Sequence, residues 1–241
     1  LTLPAFKLLV GSRLIFADTT PDMIVYPLNR RGWGRLTRLL STGNLRAEKG
    51  DCFLYEADLL QWCSDDWALI ILSEASALGR GIVDRSEAQI NGPHPHAAHG
   101  EDFFWQLQSR TRYIWLGAVM PHSGTDKRYL EQLAQQAARL DIPLLATNAP
   151  LYATAEQRPL HDVLTCIAEK TTITKAGRLL AANAERHLKP PQEMARLFKD
   201  YPQAIAETQK LLGLVDFTLD ELSYHYPDEP VPKGWTPQDW L

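Results

Sequence analysis

The sequence predicts an α/β fold, a sheet of parallel strands covered by helices. Three observations carry this. Trp67 to Ser73 (WALIILS), Arg112 to Val119 (RYIWLGAV) and Ile142 to Asn148 (IPLLATN) are continuous apolar runs, the pattern of strands buried on both faces. Stretches of helical spacing separate them, such as Thr125 to Leu140 with Leu130, Leu133, Ala137 and Leu140 on one side. The composition, 45% hydrophobic and 22% charged over 241 residues, supplies enough apolar chain for a large core.

Taken in order, Lys7 to Phe16 (KLLVGSRLIF) and Asp22 to Pro27 (DMIVYP) read as strands. Arg31 to Arg46 reads as a helix with Trp33, Leu36, Leu39 and Leu40 on one side, and Ala57 to Cys63 as a short helix. After the strand at Trp67, residues 79–100 are polar and rich in Gly, Pro and His, which predicts a long loop. Asp102 to Ser109 is predicted helical. Beyond Asn148, helices are expected at Pro159 to Glu169, Pro191 to Phe198 and Pro202 to Leu212. Pro227, Pro230, Pro232 and Pro237 each lack a backbone donor and fix φ, so no helix is expected among them. Aromatic residues continue to the end (Tyr224, Tyr226, Trp235, Trp240), unlike a disordered tail, and the segment reads as a stiff connector toward another domain.

Several function classes fall away. No stretch of 18 uncharged apolar residues exists, so no transmembrane span is expected. The first residues (LTLPAF) lack the basic-then-apolar pattern of a secretory signal. Cys52, Cys63 and Cys166 fit neither a disulfide framework nor a zinc pattern, and suit a reducing cytoplasm. A net charge of −4 gives no global support for autonomous DNA binding. No Gly-rich phosphate loop and no Gly-x-Ser-x-Gly elbow is present.

Three local patterns remain. His94, His96 and His99 could converge on a metal if their loop curls, though as polar loop residues they need bind nothing. Arg31, Arg35 and Arg38 share one helical face and could meet phosphates or another domain; the plainer reading is the solvated side of an amphipathic helix. Asp65 and Asp66 are adjacent carboxylates expected in a turn or at a helix end. The tryptophans at 33, 62, 67, 105 and 115 are expected to pack inside, and Trp235 and Trp240 to dock elsewhere.

The segment from Phe217 to Pro232 (FTLDELSYHYPDEPVP) resembles the seam between the PHP domain and the catalytic core of error-prone bacterial DNA polymerases of the C family, relatives of the polymerase III α subunit. Lys7 to Ser12 (KLLVGS) resembles that family's third barrel strand, and Arg31 to Ser41 (RGWGRLTRLLS) the helix after it. Leu160 to Ile167 (LHDVLTCI) and Asn183 to Leu188 (NAERHL) are similar to two further family motifs. The resemblance implies a partial, distorted PHP-type (β/α) barrel over 1–189, lacking its first units, with a helical extension and Pro-rich connector over 190–241.

It also implies the state of the site. Catalytic PHP domains hold metal ions on His, Asp, Glu and sometimes Cys at the barrel mouth. Where the family carries Glu after Val-Gly-Ser, this chain has Arg13. Where it carries Asp-x-His, this chain has Ala149-Pro150-Leu151. A guanidinium cannot ligate a cation, and Ala and Leu side chains offer no lone pair. Asp162, Glu185 and His187 are expected in capping or internal hydrogen bonds. The implied role is a non-catalytic scaffold for the polymerase core. Magnesium would serve only the parent's palm domain, with DNA, a sliding clamp and accessory mutagenesis proteins as partners in the cytoplasm. The alternative is an independent metal-dependent PHP-type phosphoesterase with a site rearranged around His94, His96 and His99.

Overall fold

The computed structural model describes residues 7–72, 101–223 and 230–240. Five strands form one sheet in the order β1 (Ser12–Leu14), β2 (Met23–Pro27), β3 (Trp67–Leu72), β4 (Ile114–Ala118) and β5 (Leu144–Ala146). The three continuous apolar runs are indeed the parallel core, β3 beside β4 and β4 beside β5. The expectation of parallel strands fails at the other end, where β1–β2 and β2–β3 pair antiparallel. The connection from Leu14 to Met23 is too short for a crossover, so it turns back as a hairpin. The next connection begins and ends at one edge. Pro27 pairs with Trp67, and the Leu28 amide donates to the Asp66 carbonyl at 2.8 Å.

That connection carries helices α1 (Arg30–Leu45) and α2 (Glu56–Trp62). Asn29 caps α1, its side chain accepting from the Gly32 amide at 2.9 Å. A Cβ at Gly32 would lie 2.3 Å from the Asp66 carbonyl oxygen, so only glycine lets α1 approach β3 here. The Trp67 indole then donates to the Gly32 carbonyl at 2.8 Å in the buried seam. Further helices are α3 (Glu101–Gln108), α4 (Asp126–Leu140), α5 (Arg158–Ala168), α6 (Ile173–Ala176), α7 (Pro191–Leu197), α8 (Pro202–Leu214) and α9 (Pro237–Trp240).

Side chains alternate across the sheet. Trp67, Leu69 and Ile71 join Leu36, Leu39, Phe104, Leu107, Leu130 and Leu133 in the larger apolar layer, beneath α1 to α4. Ala68, Ile70 and Leu72 join Leu28, Trp115, Leu145, Leu211 and Val215 in the smaller one, which α8 covers. The Trp115 indole donates to the buried Glu207 carboxylate at 2.8 Å, binding α8 to β4. Past α8, Phe217 is buried and stacks on Trp33 with centroids 5.1 Å apart, while the amides of Asp216 and Phe217 donate to the Leu28 carbonyl.

Three more sequence expectations change. The strand expected over Lys7 to Phe16 is reduced to Ser12–Leu14. Trp105 lies 66% exposed on the outer side of α3, because Phe103, Phe104 and Leu107 fill its inner side. The proline-rich end forms a helical turn at Pro237–Trp240, since proline at the first helical position loses no hydrogen bond. The loop expected over 79–100 lies outside the described residues. No helix among the described residues is long and apolar enough to cross a membrane.

Candidate functional site

The C-terminal ends of β3, β4 and β5 share one edge of the sheet, the edge where α/β folds gather ligands. The antiparallel β2 begins at this edge. Arg13 in β1 and Asp22 just before β2 are diagonal neighbours across the hairpin, given that Leu14 pairs with Met23. The Arg13 guanidinium donates to the Asp22 carboxylate at 2.8 Å. The Asp22 side chain is only 2% exposed, so its charge is neutralised inside the protein. The Leu72 amide donates to the Asp22 carbonyl at 2.8 Å and ties the end of β3 to the same corner.

Beyond β5 the chain bends sharply. Ala149 adopts a left-handed backbone conformation with φ of 41°. Arg186 holds this bend from both sides: its Nε donates to the Ala149 carbonyl at 2.9 Å, and its own carbonyl accepts from the Leu151 amide at 2.8 Å. Burial, with a smaller contribution from Arg13, pulls the Arg186 guanidinium below its ordinary pKa. At Arg13, Ala149 and Leu151 the structure thus places a paired cation and two backbone contacts. Among the described residues, no three His, Cys, Asp or Glu side chains come together as metal ligands. His94, His96 and His99 lie outside the described residues.

A polar cluster adjoins this edge. Lys189, its side chain 1% exposed, donates to Glu185 at 2.8 Å, and His122 lies 3.7 Å from the same carboxylate. The hydrogen bond from Lys189 holds the Glu185 carboxyl below the usual carboxylate range. His187 Nδ1 lies 3.0 Å from the Ala184 carbonyl, and Asn148 donates to the His187 carbonyl. Asp162 pairs with Arg158 at 3.4 Å. These contacts tie the segment around Asn148, Glu185 and Lys189 together.

The arginine stripe divides. Arg31 makes a two-pronged contact to Asp66 at 2.7 and 2.9 Å, and Arg35 lies 3.7 Å from the same carboxylate. The hydrogen bond from Arg31, ahead of that from Asn29, holds the Asp66 carboxyl below the usual range despite its burial. Arg38 is exposed. Asp65 is held by Arg112 at 3.2 Å, so the two adjacent carboxylates serve different arginines and offer no shared cation site. A groove of about 780 Å³ between Met120 and Tyr201 carries charges of both signs and meets the polar cluster at His122.

Sequence reasoning missed Asp22, Arg186 and Lys189. A hairpin assignment would have exposed the first, since its register puts positions 13 and 22 side by side. Arg186 acts through a contact 37 residues away, for which spacing gives no signal, whereas the Glu185–Lys189 spacing of four could have flagged Lys189.

No protein-family model matches the chain. Individual proteins do. The chain is 46% identical over 239 residues to an error-prone DNA polymerase of Rhodopseudomonas palustris (strain BisB5), covering 98% of this chain and 20% of the relative. This chain is a relative of the error-prone DNA polymerases, matching one segment of them. That of Bradyrhizobium diazoefficiens is 45% identical over 241 residues, with 98% and 19% covered. Error-prone DNA polymerase 1 of Rhizobium meliloti is 46% identical over 231 residues, with 96% and 19% covered. The chain spans about a fifth of the length of the curated relatives it matches. The resemblance drawn from the motifs therefore holds over nearly the whole sequence.

Proposed function

We propose that this chain is a PHP-like, metal-site-degenerate portion of an error-prone polymerase of the C family, acting as a non-catalytic scaffold for the polymerase core. The observation that carries this reading is the Arg13–Asp22 ion pair at the ligand edge of the sheet. A hydrolytic site of this kind needs carboxylates and imidazoles to neutralise packed divalent cations. Arg13 instead supplies the positive charge itself, and Asp22 is consumed in balancing it. Ala149 and Leu151 contribute no donor atoms. The magnesium ions of nucleotide addition do not fit Asp65 and Asp66, since each is claimed by an arginine. They would belong to a palm outside this stretch. The parent chain would copy damaged templates in the cytoplasm, with DNA, a sliding clamp and accessory mutagenesis proteins as its partners.

The test is hydrolysis. A full polymerase carrying this stretch is incubated with p-nitrophenyl phosphate and with a 3′-labelled oligonucleotide, with manganese or zinc added. The expected result is no release above the protein-free rate. Hydrolysis that a chelator abolishes would overturn the scaffold reading and favour a phosphoesterase built on His94, His96 and His99.

A further inference from the structure

Helix α5 is built inside out. Its outward side carries Leu160, Val163, Leu164 and Ile167, exposed by 61, 44, 55 and 68%. These positions repeat at i, i+3, i+4 and i+7, a single apolar stripe of the kind that normally faces a core. Its inward side carries His161, Asp162, Thr165 and Cys166. Those side chains are spent locally: His161 packs on the Tyr152 ring, Asp162 pairs with Arg158, and the Thr165 hydroxyl donates to the His161 carbonyl. Rotating the helix to bury its leucines would break the His161–Tyr152 contact and the 2.6 Å hydrogen bond from Arg158 to the Ala181 carbonyl. The apolar stripe extends onto the following segment through Ile173 and Leu179, each about half exposed. Exposed Lys170, Lys175 and Arg178 rim it. A contiguous apolar face with a charged rim is the anatomy of an interface.

The relatives point to the occupant. In each of them this stretch is embedded in a chain about five times longer. We infer that the outward face of α5 docks an apolar, acid-rimmed surface of the polymerase that lies outside this stretch. The inference rests on the scaffold reading and names the surface by which the scaffold is held. The basic rim selects the acidic partner surface, and the stripe supplies the contact area.

The experiment uses a full polymerase carrying this stretch, with a photo-crosslinking benzoylphenylalanine at position 164, irradiated at dilute concentration and mapped by mass spectrometry. The expected product is a cross-link within one molecule to residues beyond position 241 of this numbering. Cross-links to residues 73–100, to a second copy or to added DNA would overturn the inference, as would no cross-link at all. A second measurement avoids the aromatic probe. In Leu164→Cys, maleimide labelling of that thiol is expected about tenfold slower than that of a free peptide thiol, because docking must open first. Labelling at the free rate would overturn the inference. Either failure leaves the hydrolysis result untouched, so the docking face and the absence of chemistry fail separately.

Discussion

At the residue scale, the scaffold reading rests on Arg13 and its pairing with Asp22. Truncating Arg13 removes the cation paired with a buried carboxylate. Arg13→Leu is expected to destabilise the protein by about 2 kcal/mol, and adding Asp22→Asn to recover at least half, because the buried charge is then gone. Urea-melting midpoints check this. A neutral Arg13→Leu would mean the pair is decorative. The Trp67 indole makes a second case, since Trp67→Phe removes a buried hydrogen bond to the Gly32 carbonyl and is expected to cost about 1 kcal/mol.

Asp66 fixes the direction of acid sensitivity. Its carboxyl is held below the usual range, chiefly by Arg31. The stability it lends is therefore present above the unfolded value near pH ~3.9 and is lost as pH falls through the lower folded value. Thermal midpoints should drop below about pH 4 in the parent and drop less in Asp66→Asn. Cys63 behaves oppositely, since burial pushes its thiol up to about 12. The unfolded thiol ionises first, so this contribution fades as pH rises above about 8.5. At neutral pH, Cys52 should be alkylated in the folded protein while Cys63 and Cys166, both buried, wait for unfolding.

At the scale of elements, periodicity placed most helices within a residue or two, because a stripe such as Leu130, Leu133, Ala137 and Leu140 admits one regular conformation. A stripe of the same kind in α5 lies exposed, since periodicity tells which residues share a side and not which side is wet. Strand direction was similarly hidden. An apolar run such as DMIVYP reports burial, and only the length and return point of its connections make it antiparallel. Gly32 shows the closeness that element packing can demand. Gly32→Ala would push a methyl group into the Asp66 carbonyl and is expected to cost about 2–3 kcal/mol, measurable by thermal or urea melting. A neutral result would mean that α1 shifts freely on β3.

At the scale of the whole molecule, the two apolar layers explain why the segment after Pro190 stays with the sheet. Phe198 and Ala204 enter the larger layer, and Leu211 and Val215 close the smaller one. What the sequence made legible about the site was the chemistry of Arg13, Ala149 and Leu151, three side chains that cannot hold a cation. Their partners were not legible, because Asp22 and Arg186 reach them through a hairpin register and a long-range strap. On the proposed scaffold reading, the ion pair at this edge would stiffen it for contact with other polymerase parts. Anomalous diffraction from manganese-soaked crystals of a polymerase carrying this stretch reads that edge directly. No manganese peak is predicted beside Arg13, Ala149 and Leu151; a fully occupied peak bordered by those three residues would contradict the scaffold reading.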